Sequence, residues 1–366
     1  MKRIFALKSH YQKIKGFYKK YERWLMPVTL AVGFTADYIT FVNIQINTAL
    51  TILFIYWVIC AVAIAFIHSY DAGKIPEKLR YIRLFTPLLV QFTFGGLLSN
   101  SFIFYWFSGS IWVSWPFILA FVAIMVSNDA LREQFKRPTT QLSVYFFSTF
   151  SIFSVALPFT FSSLSPGLFL GAGAAALVFI VLYIVMLRRL TEKEKFKVPH
   201  LAISIFSIFI ITNVFYFTNL IPPVPLAVRE TGLYHNVQKT AAGYMLTGEK
   251  QSFWQKLIPG QTIHLRAGEK AYIFSAIFAP EKLTTKIVHE WQFYDEKQDD
   301  WVIKDKLSFT LMGDRKEGFR GYSLKTNLPE GSWRVYIKTT RGQTLGRIKF
   351  KVETPEKPLE TEEAIK

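Results

Sequence analysis

Residues 47–68, NTALTILFIYWVICAVAIAFIH, form an apolar run that contains no Asp, Glu, Lys or Arg. Residues 167–187, GLFLGAGAAALVFIVLYIVML, form a second run of the same kind. An α-helix needs about 20 apolar residues to cross the roughly 30 Å hydrocarbon core of a bilayer. Both runs reach that length, so they predict an integral membrane protein with several helical spans.

Five further apolar stretches flank these runs and extend the predicted transmembrane domain over residues 25–221. Each stretch is close to spanning length, which gives a polytopic α-helical domain of about seven spans. The predicted spans cover residues 25–46, 47–68, 84–107, 111–127, 142–159, 167–187 and 201–221.

Positive charge is distributed unevenly between the two sides of these spans. Alternate segments (1–24, 69–83, 128–140 and 188–200) carry 20 Lys and Arg, whereas the connections between them carry none. Because cytoplasmic connections collect Lys and Arg, we expect the N-terminus in the cytoplasm. The first of these segments is predicted to be a basic amphipathic helix on an anionic membrane surface. The odd number of spans then places the part after residue 221 outside.

Composition excludes several other classes of protein. The formal net charge is +17, but the cations lie between apolar spans and not on one soluble face, so we expect the lipid bilayer and no nucleic acid as partner. The single cysteine, Cys60, lies in an apolar run, which excludes an intrachain disulfide and a Cys/His metal cluster. We expect no metal and no other cofactor.

The sequence pattern changes after residue 221. Pro222, Pro223 and Pro225 predict the end of the last helix and a stiff, extended linker. Short alternating runs separated by turn residues then predict an all-β domain over residues 222–354. Its length and strand pattern favour an immunoglobulin-like or fibronectin-like sandwich. The charged residues 355–366 are expected to be a disordered tail.

Polar residues inside the predicted spans are the candidates for membrane chemistry. Asp37 is the only ionisable residue placed deep in a span, where a carboxylate usually faces the bundle interior or water. It fits cation or proton coupling in a transporter, or a hydrogen bond that ties helices together. Asn43, Asn100 and Asn213 are its candidate partners in the second case.

The span at 167–187 also begins with small residues at regular spacing. Gly167, Gly171 and Ala175 lie four residues apart and predict a face that another helix approaches closely. In a bundle of this size, a contact within the chain is favoured over a dimer contact.

The β-domain contains no recognisable catalytic set. His235, His264 and His289 are too scattered in sequence for a metal-binding spacing, and no nucleophile elbow or His-Glu-x-x-His motif occurs. His289 and Glu290 are adjacent on a predicted strand, so their side chains point to opposite faces. No catalytic residue is therefore assigned.

The strongest pattern in the β-domain is the terminal hairpin GSWRVYIKTTRGQTLGRIKFKV. One face of each strand is apolar and is expected to lie in the core. The opposite face is cationic, which indicates either docking to an anion or a solvated face that prevents edge aggregation. The candidate binding residues are Arg334, Tyr336, Lys338, Arg347, Lys349 and Lys351.

Aromatic and glycine-containing motifs recur through the same region. They are Trp291, Trp301, GFRGYS at 318–323, GSWRV at 331–335 and GQTLGRIKFKV at 342–352. These motifs resemble a bacterial family of polytopic inner-membrane proteins whose C-terminal domain is catalogued only as a domain of unknown function. In several members an exit like IPPVPL, here at 221–226, precedes that domain. The resemblance implies a Gram-negative inner membrane and a periplasmic β-domain, and it supplies no catalytic residues.

Two functional hypotheses follow from these observations. The first is a non-enzymatic inner-membrane protein whose periplasmic β-sandwich binds an anionic lipid, a glycolipid, an acidic glycan or an envelope protein. The alternative is a transporter or lipid-handling protein that uses Asp37, with the β-domain as gate or acceptor.

Overall fold

A computed structural model describes residues 16, 28, 32, 35, 46–130, 137–191, 198–241, 243–250, 260–279, 283–312, 319–355 and 358–366. Apart from single positions, the amphipathic segment and the first span predicted from the sequence lie outside these residues, and so do Asp37 and Asn43.

The chain divides into two compact units. The helical unit comprises Met1–Phe104, Pro116–Leu157 and Ser165–Phe217. The β unit comprises Tyr105–Trp115, Pro158–Leu164 and Thr218–Lys366. Two connections between helices therefore belong to the same unit as the strands.

Six α-helices lie in the described part of residues 46–217. Five of them are long and apolar enough to cross a membrane, and α3 has a shorter apolar stretch over Val113–Ile124. The prediction of several apolar helices is confirmed, whereas a count of seven spans stays a prediction. The helices are α1 (Ile46–Asp71), α2 (Arg80–Ser108), α3 (Ile111–Ala130), α4 (Pro138–Phe161), α5 (Pro166–Leu190) and α6 (Val198–Phe217).

Helices α2 and α4 are the buried members of the helical unit. Their most apolar windows are 78% and 72% buried, against 28%, 33% and 17% for α1, α5 and α6. Phe94 of α2 meets Tyr145 of α4 edge-on, with ring centroids 6.5 Å apart. The Trp57 indole donates to Thr149 at 2.9 Å, and the Tyr145 hydroxyl donates to the Trp57 carbonyl oxygen at 3.0 Å. Such polar bonds hold apolar helices together where the hydrophobic effect cannot.

Among the described residues, no other helix packs against the small-residue face predicted on α5, and a contact with a second copy stays a prediction. Gly167, Gly171 and Ala175 are exposed, and a Cβ added at either glycine would meet no atom within 4 Å. The buried small residues of α5 include Gly173, where a Cβ would lie 2.9 Å from the rings of Phe150 and Phe209. Large aromatic rings, and not a second glycine-containing helix, fill this space.

The β unit contains three sheets. Their strand orders are β1-β5-β8, β4-β10-β9-β6-β7 and β11-β3-β2, and β4 pairs with β10 in parallel. The strands are β1 (Ala227–Tyr234), β2 (Asn236–Thr240), β3 (Gly243–Glu249), β4 (Gln261–His264), β5 (Lys270–Phe278), β6 (Thr284–Asp295), β7 (Asp300–Met312), β8 (Phe319–Thr326), β9 (Gly331–Thr339), β10 (Thr344–Glu353) and β11 (Thr361–Ile365).

The three-stranded sheet β1-β5-β8 and the five-stranded sheet share a hydrophobic core. Trp291, Trp333 and Phe350 of the five-stranded sheet pack in one cluster with Ala271 and Ile273 of β5. The two tryptophan rings meet edge-on at 6.5 Å. Large buried rings remove much apolar area from water, so this cluster contributes strongly to the stability of the β unit.

The third sheet covers the other face of β5. Val237 and Leu246 from β2 and β3 pack against Tyr272 and Phe274. Thr361–Ile365 extends this sheet by antiparallel pairing with β3. The structure therefore differs from the disordered tail expected at 355–366, because backbone pairing with β3 holds a strand whose side chains are all exposed.

The exit from the last helix is buried, in contrast to the extended linker that its prolines predicted. All residues from 221 to 226 are buried. The Asn219 side chain donates to the Arg341 carbonyl oxygen at 3.2 Å, and Gln343 donates to the Ile221 carbonyl oxygen at 3.4 Å. Leu226 joins a second core cluster that includes Ile277. The segment is thus part of the β unit and not a spacer in front of it.

The two helix connections in the β unit contact the same segment and cluster. Leu164 packs against the core cluster that contains Leu226. Gly109 lies so close to Pro222 that an added Cβ would be 2.5 Å from the proline Cγ. Because a proline ring cannot rotate away, only glycine fits at this position without a shift of the backbone.

We expect Gly109→Ala to lower the free energy of unfolding of the β unit by about 1–3 kcal/mol, which is the usual cost of adding a methyl group to a tightly packed site. Gly171→Ala is the matched control, because it places the same methyl group in open space and can gain up to about 1 kcal/mol of helix stability. Protease resistance of the strands during a thermal ramp measures both variants. Equal stability of the two proteins would contradict the close packing at Pro222.

Candidate anion-binding face

The terminal hairpin has the alternation that the sequence predicts. On β9, Trp333, Val335 and Ile337 are buried, and on β10, Phe350 and Val352 are buried as well. The six candidate residues lie on the opposite face. The alternation of core and outer face is therefore confirmed, while a binding role for the outer face stays a prediction.

Strand register brings residues from β10 and β6 beside the central strand β9. Arg347 and Lys349 of β10 are paired with Tyr336 and Arg334. On the other side of β9, Glu290 of β6 is paired with Tyr336, and Gln292 of β6 is paired with Arg334. Sequence reasoning did not place these β6 residues on the basic face.

Glu290 is a buried carboxylate at the centre of this face. It accepts from Lys338 Nζ at 2.6 Å and from Gln292 Nε2 at 2.7 Å, and Lys306 Nζ lies 3.4 Å away. Burial alone raises the pKa of Glu290, but the hydrogen bonds and the positive charge of Lys338 lower it overall. A buried carboxylate that stays ionised needs such partners, so Glu290 anchors the neighbouring cations.

Arg334 lies between two aromatic rings. Its Cζ is 4.1 Å from the ring centroid of Trp301 and 5.2 Å from that of Tyr336. Its Nε donates to Gln292 Oε1 at 2.7 Å. Lys349 Nζ lies 5.7 Å from the same Trp301 ring. Cations near aromatic faces are stabilised electrostatically. The two aromatic rings and the side-chain amide of Gln292 therefore hold the Arg334 guanidinium in position.

The face does not carry five equivalent cations. Lys338 is paired with Glu290, and Lys351 is paired with Glu353 at 2.7 Å. In the described part of the chain, Arg334 and Lys349 have no carboxylate within ion-pair distance. Burial is the main reason that the pKa of Arg334 is lowered, and the charge of Arg347 adds to it, whereas Tyr336, Asp300 and Glu290 act in the opposite direction. The two cations of this face that form no ion pair among the described residues therefore both lie beside Trp301.

A second polar cluster brings together histidines that are distant in sequence. Glu249 lies 3.0 Å from His235 Nε2 and 2.9 Å from His264 Nδ1, and it accepts from the His264 backbone N–H at 2.6 Å. Burial opposes ionisation, but these bonds lower the pKa of Glu249 overall. Over the described residues, no group of three or more His, Cys, Asp or Glu could hold a metal ion.

His289 lies in the core, on the opposite side of β6 from Glu290. Its Nε2 is 3.0 Å from Ser275 Oγ and its Nδ1 is 2.8 Å from Ser323 Oγ. Trp291 also donates to Ser323. The expected separation of His289 and Glu290 is confirmed. No part of His289 is exposed to solvent. Its bonds to Ser275 of β5 and Ser323 of β8 link the five-stranded sheet to the three-stranded sheet.

Two of the four intramembrane polar candidates lie in the described helices. Asn100 on α2 donates to the Gly96 carbonyl oxygen at 2.8 Å, and Asn213 on α6 donates to the Phe209 carbonyl oxygen at 2.8 Å. Both bonds stay within one helix. The predicted link of these side chains to Asp37 concerns a residue outside the described ranges.

The chain thus combines apolar helices of membrane-spanning length with a β-rich unit that presents an aromatic and cationic face. Residues 284–352, from β6 to β10, match a family described as "Protein of unknown function (DUF2914)". This match confirms that part of the β unit corresponds to a domain of unknown function. A comparison with curated proteins found no match.

Two solved structures illustrate the remaining similarity. A β-glucosidase from Listeria innocua in complex with gluconolactone is 12% identical over 34% of this chain and 16% of that chain, with a TM-score of 0.19. The alkylpurine DNA glycosylase AlkC from Pseudomonas fluorescens, bound to DNA containing an abasic site analog, is 11% identical over 83% of this chain and 97% of that chain, with a TM-score of 0.20. This chain thus spans about a sixth of the glucosidase. At these TM-scores neither structure informs the fold or the function.

Acid should destabilise the β unit through His289. Burial lowers its pKa from 6.5 to about 4, so the unfolded chain takes up a proton at a pH where the folded protein does not. Stability should be complete above pH 6.5 and fall by about 3 kcal/mol as the pH drops to about 4.

His289→Asn should remove most of the stability slope between pH 6.5 and 4.5, as measured by denaturant unfolding of the β unit. The exposed His200 is the control position, and His200→Asn should leave the slope unchanged. An unaltered slope in His289→Asn would rule out this histidine as its source.

Proposed function

We propose that this protein is a non-enzymatic inner-membrane protein that presents the β unit outside the cytoplasm, where its basic face binds an anionic component or partner of the cell envelope. The observation that carries the proposal is the guanidinium of Arg334, which lies near the rings of Trp301 and Tyr336 and has no carboxylate within ion-pair distance among the described residues. Interfaces are enriched in Trp, Tyr and Arg, and an uncompensated charge on such a surface favours an anionic ligand.

The distribution of Lys and Arg between the two sides of the membrane supports a location of the β unit outside the cytoplasm. The connections Tyr105–Trp115 and Pro158–Leu164 belong to the same compact unit as the strands, and neither contains Lys or Arg. A compact unit lies on one side of a membrane. Since cation-free connections are typical of the non-cytoplasmic side, the β unit is expected there as well, in the periplasm of a Gram-negative cell.

The strand orders support an immunoglobulin-like or fibronectin-like sandwich. A three-stranded sheet faces a sheet whose central strands, β10, β9 and β6, are joined by antiparallel pairing. In immunoglobulin variable domains, which share this architecture, loops at one end of the sandwich carry recognition. The burial of His289 and its serine partners also supports a role without catalysis, because a substrate does not reach them.

The direct test uses the full chain in nanodiscs of neutral phosphatidylcholine, because residues outside 226–354 contribute to the core of the β unit. The probes are polygalacturonate and vesicles that contain phosphatidylglycerol. Binding to at least one probe should weaken by about tenfold or more between low salt and 0.5 M salt.

The triple variant Arg334→Gln, Arg347→Gln, Lys349→Gln should weaken binding by about tenfold or more, since Arg334 and Lys349 lie beside Trp301 and Arg347 is paired with Tyr336 on the same face. The control triple, Lys239→Gln, Arg266→Gln, Lys270→Gln, removes the same charge from exposed positions outside the five-stranded sheet. Equal loss in both triples, or no binding to either probe, would defeat the proposal.

A transporter or lipid-handling membrane domain is the second candidate, and one observation favours it. Asn100 Oδ1, Ser101 Oγ, Ser148 Oγ and Ser154 Oγ are buried on α2 and α4 and have no hydrogen-bond partner among the residues that the structure describes. Unsatisfied polar atoms are costly in an apolar interior. Their concentration on the two most buried helices supports a polar interior that a small solute could enter.

Thiol reactivity distinguishes a polar interior from a dry one. In a Cys60→Ala background, Ser154→Cys should react with methyl methanethiosulfonate at least about tenfold faster than Val155→Cys, because the reacting thiolate forms only where water reaches it. Val155 is the matched control, since it is buried at the next position on α4. Equally slow reaction of both thiols would remove the support for this candidate.

A further inference from the structure

We infer that Arg334, Lys349 and Trp301 form a discrete binding site for an acidic saccharide, a sugar that carries a carboxylate or a phosphate monoester. This inference rests on the proposed function, because it names the ligand class for the same face. It differs from a diffuse basic surface in that one guanidinium and one ring carry most of the recognition.

The first step of the argument is the preorganisation of Arg334. Its Nε is bonded to Gln292 Oε1, and Gln292 Nε2 is bonded in turn to the buried Glu290. Its Cζ lies 4.1 Å from the centre of the Trp301 ring. A carboxylate or phosphate binds most strongly to the paired N–H groups of an arginine whose plane is already fixed.

The second step is the position of Lys349, the other cation of this face that forms no ion pair among the described residues. Lys349 is paired with Arg334 across the β9–β10 register and lies beside the same Trp301 ring. Side chains paired in this way are roughly 5 Å apart at Cβ, so both can contact one oxyanion. By contrast, Lys351 forms an ion pair with Glu353, and Lys338 forms one with Glu290.

The third step is the apolar surface next to the two cations. Tyr294 packs against Trp301 with ring centroids 5.2 Å apart, and Ile303 is 48% exposed and is paired with Gln292 on the same side of the sheet. An inorganic anion would leave this surface in water. A ring with an apolar face and an acidic substituent covers both parts of the site, and an acidic sugar has that combination.

The experiment measures binding by tryptophan fluorescence and calorimetry on the full chain in neutral nanodiscs. The probes are glucuronate, glucose 6-phosphate, glucose and inorganic phosphate. The two acidic sugars should bind at least about tenfold more tightly than glucose or phosphate alone, because only they satisfy the cations and the ring together. A phosphorylated glycolipid in the same nanodiscs tests whether the sugar is presented by a lipid.

Two variants test the geometry with the fold intact. Arg334→Lys keeps the charge but removes the paired donors, and Trp301→Leu keeps an apolar side chain but removes the ring. Each should weaken glucuronate binding by about tenfold. Lys351→Gln is the control and should change binding by less than about twofold, since Lys351 is already paired with Glu353. Unfolding temperature establishes that each variant is folded.

The outcomes separate this inference from the function on which it rests. If polygalacturonate or anionic vesicles bind, but acidic sugars bind no better than phosphate and Arg334→Lys has no effect, the face is a diffuse anion surface and the saccharide site is refuted. If no anionic probe binds, the proposed function fails and the saccharide site fails with it.

Discussion

The buried carboxylate of Glu290 is the constraint on which the outer face of the five-stranded sheet depends. A charge in that position must be compensated, so Lys338, Lys306 and Gln292 converge on it. Gln292 is thereby oriented to accept from Arg334, whose guanidinium lies 4.1 Å from the centre of the Trp301 ring. Glu290 thus arranges the neighbouring cations, and Arg334 and Lys349 beside Trp301 have no carboxylate within ion-pair distance among the described residues.

Burial at the exit from the last helix is a second constraint. The exit segment lies within the β unit, and Leu164, from a connection between two helices, packs on the core cluster that contains Leu226. Gly109 allows a close approach to Pro222 that no larger residue permits. The β unit is therefore built partly from connections of the helical region, and a fragment of strands alone would expose apolar surface that the full chain covers.

Local periodicity made much of this predictable. Apolar runs of spanning length identified the helices. Alternation on β9 and β10 identified Arg334 and Lys349 as residues that face outward from the core. The contribution of β6 and β7 was not predictable, because it depends on strand order and on a register shift between Trp291 and Gln292. The meeting of His235 with His264 around Glu249 and the pairing of the tail with β3 depend likewise on contacts between distant residues, for which one sequence holds no local signal.

Glu290→Gln is the most direct test of the claim that a buried carboxylate organises this face. The variant makes the face more positive by one charge while it removes the acceptor that holds Lys338 and orients Gln292. Affinity for glucuronate or polygalacturonate, measured on the folded full chain in neutral nanodiscs, should fall by about fivefold or more if preorganisation governs binding. Tighter binding by the variant, as expected when net charge alone attracts the ligand, would contradict the account.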